Sequence, residues 1–159
     1  MGTFTMAENG DASMGEVRVK VKLTNSVDEG LVRRGQMKPE EVRTYEAEAL
    51  VDTGAVRCVL PSFVADQLGL ARIGRYMAEY ADGRLDEVDL TEPFSLRIMG
   101  RLTSEEALVL GDEVLIGQTA LEKTDLFVDC QRQRLIPNPA HPDQPVSKVK
   151  SLGGTSQTG

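Results

Sequence analysis

The stretch Ala49-Leu50-Val51-Asp52-Thr53-Gly54-Ala55 decides how this chain is read. Three apolar residues in succession suit a buried strand. An acid, a hydroxyl and a glycine follow at once. At the end of a buried strand that combination suits a catalytic carboxylate. Backbone and hydroxyl donors hold the acid, and the glycine leaves room beside it for a substrate. The chain carries the motif once. Alone, Asp-Thr/Ser-Gly is weak evidence, because at average residue frequencies it turns up by chance in about one chain in ten of this length. The ordinary explanation is a strand-end turn, with the Asp accepting backbone hydrogen bonds and the Gly at a left-handed angle. Context shifts the balance.

Upstream, Val17, Val19, Val21 and Leu23 alternate with Glu16, Arg18, Lys20 and Lys22, the pattern of a half-buried strand. Ser26-Val27-Asp28-Glu29 has the form of a capping box and predicts a short helix to about Arg34, ended by Gly35. Pro39-Glu40-Glu41 predicts a helical turn, so that 24–43 reads as a connection or insertion. Tyr45 to Val51 is then the strand that delivers Asp52.

Downstream, Val59-Leu60 is a second apolar stretch, and Pro61 to Leu68 reads as a short helix stopped by Gly69. Asp82-Gly83 between 73–81 and 84–90 is a two-residue hairpin signal, since both residue types tolerate positive φ. Phe94, Leu96 and Ile98 alternate before a turn at Gly100-Arg101. Ala107 to Leu110 and Val114 to Ile116 are short apolar runs of the buried-strand kind, and Gln118 to Lys123 suits a helix. Leu126 to Val128 and Arg134 to Ile136 suit a last hairpin. Many short strands with turns between them predict an all-β domain, mainly β with one or two short helices.

The 159 residues fit one domain, and 40% hydrophobic content is enough for a core. Residues 1–15 and 141–159 lack periodicity and read as a disordered leader and tail around a folded part at 16–140. A net charge of −7 argues against a nucleic-acid partner, because phosphate binding needs a clustered basic surface. No apolar run approaches the ~20 residues of a membrane span, and no stretch in 1–15 resembles a secretory signal. A cytoplasmic location, with no membrane partner, is therefore the expectation. Cys58 and Cys130 do not make a disulfide framework. His141 is the one histidine, too few for a metal cluster, and sits in a proline-bearing loop that suits Ser-His or Cys-His chemistry poorly.

With these elements in order, the chain resembles the retroviral-type (retropepsin-like, pepsin superfamily) aspartic proteases, and the bacterial members more than the viral enzymes. The resemblance covers roughly 16–137. It rests on Leu50-Val51-Asp52-Thr53-Gly54-Ala55, on the hairpin at Tyr80-Ala81-Asp82-Gly83-Arg84, and on Ile116-Gly117 before a helix. It implies a closed β-barrel lobe that works as a homodimer, because the family brings two copies of the motif together at a two-fold axis and this chain holds one. The implied activity is that of an aspartic endopeptidase on polypeptide substrates, with Asp52 catalytic and no metal or other cofactor. Thr53 would bond across the dimer axis. Gly54 would let the backbone approach substrate and dyad, and Gly117 would permit close packing behind the loop. Ala55 would line the cleft. Tyr80, Ala81, Asp82 and Gly83 would form a flap over the peptide.

The chain also departs from the family. Viral enzymes commonly place an acid soon after the motif and an Arg after Ile-Gly; here Val56-Arg57 follow Ala55 and Gln118 follows Gly117. That ion pair cannot form in the same way. Two other readings compete with the protease. One is a non-catalytic pepsin-like module that binds peptides or dimerises. The other is an unrelated small monomeric β domain in which Asp52 only caps a turn.

Overall fold

The computed structural model describes residues 15–150. Residues 1–14 of the expected leader and 151–159 of the expected tail lie outside the described residues. The domain is mostly β. It begins with β1 (Arg18–Asn25), in which Val21 and Leu23 are buried while Lys20 and Lys22 face solvent.

The segment read as a connection or insertion, 24–43, is tied to the body by side-chain hydrogen bonds. Helix α1 (Ser26–Arg33) is capped by Asn25 and not by the expected Ser26–Glu29 box: Asn25 Oδ1 accepts the Asp28 N–H at 2.9 Å. Asn25 ends β1 in an extended conformation with its side chain buried, and asparagine caps as well as serine does. Ser26 and Glu29 instead meet Ser95, at 3.3 and 2.6 Å. After the 3-10 turn Pro39–Glu41 the chain returns to Asp28, which is buried. Its carboxylate accepts Arg43 N–H, Nε and Nη2 at 3.0, 2.9 and 2.9 Å. The Arg43 guanidinium holds that carboxyl below the usual carboxylate range, against the opposing effect of burial. Gly69, at φ +67°, lies beneath the Arg43 guanidinium, where a Cβ would collide with it.

The strands that follow are β2 (Thr44–Val51), β3 (Cys58–Leu60), β4 (Arg72–Glu79), β5 (Leu85–Thr91), β6 (Phe94–Ile98), β7 (Arg101–Glu105), β8 (Ala107–Val109) and β9 (Leu115–Ile116). Helix α2 (Ser62–Gln67) lies between β3 and β4, and α3 (Gln118–Thr124) follows β9. Three short α-helices therefore form among the described residues where one or two were expected for the domain, each at a stretch the sequence marks as helical. Strands β10 (Leu126–Asp129) and β11 (Arg134–Pro137) pair as a separate hairpin.

Nine strands make one sheet in the order β4-β5-β8-β3-β9-β2-β1-β6-β7. The step that positions the site is β9. It inserts between β2 and β3, parallel to β2 (Leu50↔Leu115, Val51↔Ile116) and antiparallel to β3 (Val59↔Leu115). The ends of two distant segments, Val51-Asp52 and Ile116-Gly117, thus lie side by side. The core beneath the sheet is aliphatic around one aromatic ring, with Leu23, Leu60, Leu68, Phe94, Leu96 and Ile98 fully buried.

The turn expected at Gly100-Arg101 falls one residue earlier. Met99 and Gly100 take φ +50° and +77°, so Arg101 pairs with Ile98 and opens β7. Arg101 is buried and donates to four carbonyls, those of Thr124, Asp125, His141 and Pro142. Asp125, which ends α3 at φ +58°, accepts Asn138 Nδ2 at 2.9 Å and the Val146 N–H at 3.1 Å, and pairs with His141 Nδ1 at 2.6 Å. Asn138 foremost, then His141 and Val146, keeps the Asp125 carboxyl below its ordinary range. The start of the segment read as a tail, 141–146, is therefore held against the body.

Candidate active site

Asp52 stands one residue beyond β2, and its N–H continues the ladder onto β9 by donating to Ile116 O at 2.9 Å. The chain then reverses: Ala55 N–H donates to Asp52 O at 3.1 Å and Gly54 N–H to Asp52 Oδ1 at 3.0 Å. The carboxylate is thus oriented by a backbone donor two residues on, and its second oxygen makes no hydrogen bond within the described residues.

The loop is pinned from behind by the other strand end. Gln118 N–H donates to Ala55 O at 2.7 Å and Thr119 N–H to Val56 O at 3.2 Å. These are first-turn amides of α3, which have no acceptor inside their own helix. Gly117 makes the approach possible, since a Cβ there would lie 2.4 Å from Arg57 O and 2.9 Å from Ala55 O. Both obstructions are backbone atoms, so nothing nearby can swing aside.

Across from the loop rises the β4–β5 hairpin. Its register runs from Arg72↔Thr91 to Glu79↔Leu85. The tip holds three residues, Ala81 to Gly83, where the sequence reading placed two. Tyr80 N–H donates to Arg84 O at 2.9 Å, Gly83 N–H to Tyr80 O at 2.8 Å, and Gly83 sits at φ +87°. Glycine at the last position of a three-residue loop is the one that absorbs the positive φ. Arg84 braces the tip through Asp82 at 2.9 Å and lies over the Tyr80 ring, 4.7 Å from its centroid.

Between loop and hairpin lies a cavity of about 630 Å³. Asp52, Gly54 and Ala55 line it on one side and Tyr80 and Ala81 on the other. Those five sequence-predicted residues are brought together. The other four are placed elsewhere: Thr53 is exposed beside the cavity, Asp82 and Gly83 are exposed at the tip, and Gly117 is buried behind the loop. The rest of the lining was missed. Val59 and Leu115 face each other across β3–β9, Leu108 and Leu110 come from β8 and its end, and Tyr76 and Arg57 add a ring and a cation. The period-two spacing of Leu108 and Leu110 was a signal for a shared face. Nothing local pointed to the others.

The arrangement can hold an extended, partly apolar chain against an oriented carboxylate. Neither cysteine lines this cavity. Cys58 is buried and its thiol is pushed up to about 11 by burial, so it stays protonated at neutral pH. Cys130 is exposed and free. Among the described residues no group of three or more His, Cys, Asp or Glu side chains converges as a metal ion would need, and no helix is long and apolar enough to cross a membrane. Comparison of the chain with protein-family models gave no match, and comparison with curated proteins gave none either.

Proposed function

We propose that this chain is a retropepsin-like aspartic endopeptidase, a lobe whose sheet closes as a barrel and which works as a homodimer around one Asp52 from each copy. The observation that carries the reading is the Asp52 carboxylate itself. It is oriented by Gly54 N–H in a cavity of about 630 Å³, with a hairpin opposite and a paired strand end behind.

The chemistry asks for a second copy. One carboxylate with a single hydrogen-bond donor has no means of polarising a carbonyl while also activating water. Two carboxylates a few Å apart share a proton and titrate as a pair. The ionised one takes a proton from water as its oxygen attacks the peptide carbonyl carbon. The protonated one donates to the carbonyl oxygen, and a proton then passes to the leaving nitrogen as the C–N bond breaks. The exposure of Thr53 and Gly54, and of Val56 at 72%, supports the dimer, because a partner loop meeting this one would cover that surface.

The test is light scattering of the purified chain with and without a transition-state-like peptide inhibitor. The expected result is the mass of two chains, held at lower concentration when the inhibitor is present. A monomer that ignores the inhibitor overturns the reading.

A further inference from the structure

The hairpin over the cavity is attached to the body at its base. Strand β5 joins the sheet through two register pairs with β8, Asp89↔Val109 and Leu90↔Leu108. Arg72 at the start of β4 is tied to Asp66 at 2.7 Å, and the Ala71 N–H donates to Glu92 at 2.9 Å. Beyond that base, among the described residues, the side-chain hydrogen bonds and ion pairs of residues 75–88 all stay within the hairpin: Arg75 with Glu87 and Asp89, Tyr80 with Asp86, Arg84 with Asp82. Ala78 and Val88 within it are buried, so beyond the base the hairpin is held by packing and not by side-chain hydrogen bonds or ion pairs to the body. Such a projection opens more readily than the rest of the sheet.

The Arg57 side chain reaches from the floor to the hairpin. Arg57 lies three residues after Gly54, and its backbone is fixed where Arg57 O meets Gly117. Its guanidinium carbon stands 4.9 Å from the centroid of the Tyr76 ring in β4. Its Nη1 is bonded to Glu106 Oε1 at 3.2 Å, immediately before β8. Arg57, like its neighbour Val56, lines both the Asp52 cavity and a neighbouring one of about 480 Å³. A planar cation stacks on a ring with one face while its edge bonds a carboxylate, a pair of contacts a lysine does not reproduce.

We infer that Arg57 is a positioning residue, the clasp that holds the β4–β5 hairpin over Asp52 by stacking on Tyr76, with Glu106 fixing the angle of the guanidinium. The clasp deepens the endopeptidase reading, and its effect on turnover rests on that reading. Its effect on hairpin motion does not.

The experiment is amide hydrogen exchange on the full chain carrying Arg57→Gln, Tyr76→Leu or Tyr76→Phe. Loss of the cation or of the ring is expected to speed exchange at hairpin amides in 77–87 about three- to tenfold, with β1 and β2 amides unchanged. Tyr76→Phe keeps the ring and is expected to stay within about twofold of the parent in exchange. In peptide hydrolysis Arg57→Gln is expected to raise KM by more than it lowers kcat, because it weakens closure over the bound chain. Unchanged hairpin exchange in Arg57→Gln and Tyr76→Leu overturns the clasp. So does a rise spread over the whole domain, or Tyr76→Phe behaving as Tyr76→Leu does. Should Arg57→Gln fail to fold, the two Tyr76 variants decide. Should the parent chain cleave no peptide, the endopeptidase reading falls while hairpin exchange still reports on the clasp.

Discussion

Replacing Asp52 with Asn is expected to lower peptide hydrolysis by about 10³-fold or more while leaving the fold in place. Asparagine keeps the shape of the side chain and an oxygen that can accept the Gly54 N–H, now at 3.0 Å from Oδ1. It loses the ability to take a proton from water and the ability to share one with a partner carboxylate. General acid–base catalysis of this kind contributes typically about 10²–10⁴-fold, and in the proposed mechanism both halves of it would run through one residue type. Stability should change little, because Asp52 forms no ion pair among the described residues and its cavity is open to solvent. The measurement is hydrolysis of an unstructured polypeptide by parent and variant, with urea unfolding of both as the control. A variant that retains hydrolysis removes Asp52 from the chemistry. A variant that loses activity only because it unfolds leaves its catalytic assignment without support.

The second large effect is on the fold. Gly117→Ala is expected to destabilise the domain by about 3 kcal/mol and to abolish peptide binding with it. The added Cβ would stand 2.4 Å from Arg57 O and 2.9 Å from Ala55 O. To relieve that contact the Asp52–Arg57 loop has to back away from α3, which breaks the bonds from Gln118 and Thr119 N–H to Ala55 and Val56. Gly54→Ala is the informative contrast. Its Cβ would meet Asp52 Oδ1 at 3.3 Å, a contact that small shifts relieve. That variant should lose less than about 1 kcal/mol of stability and should act on catalysis through the carboxylate it crowds. Urea unfolding of the two variants side by side checks the expectation. Equal stability losses would mean that the packing of Ile116-Gly117 behind the loop is not what holds it.

Much of the strand content was legible because it is local. Val17 to Leu23 alternate with charges, and β1 buries Val21 and Leu23 as the alternation required. The helix stop at Gly69 was legible for the same reason, a glycine at the end of an apolar run, and it takes φ +67°. Misreadings came where two local rules compete. Asn25 and Ser26 are adjacent and both cap helices well, and burial of Asn25 at the end of β1 settled which one does. Asp82-Gly83 suits a two-residue turn, but a glycine also closes a three-residue loop, and the ladder continues to Tyr80 and Arg84. Met99 takes a positive φ despite its side chain, which no composition rule indicates.

What the sequence hid is what sequence separation hides. Strand β9 is two residues long, and its place between β2 and β3 depends on partners about 65 and 56 positions away. The motif at Asp52 and the pair Ile116-Gly117 were each visible, and the resemblance set them in one site; their ladder bonds are a property of the folded chain. The same holds for the cavity. Asp52, Gly54, Ala55, Tyr80 and Ala81 were named from two short motifs. Arg57, Tyr76 and Glu106 have no shared motif and meet only because β3, β4 and β8 converge there. The pairing of buried Asp28 with exposed Arg43 is of this kind too, as is Arg101 beneath the returning chain.

The central claim is that one site needs Asp52 from two chains. Mixing tests it most directly. Parent chain and Asp52→Asn chain are unfolded together, refolded at fixed total concentration, and assayed as the parent fraction is varied. If each site needs two intact carboxylates and the chains pair at random, activity falls as the square of the parent fraction, so an equal mixture retains about a quarter of full activity. A linear fall, with half the activity left in the equal mixture, would mean that one Asp52 suffices and would contradict the account.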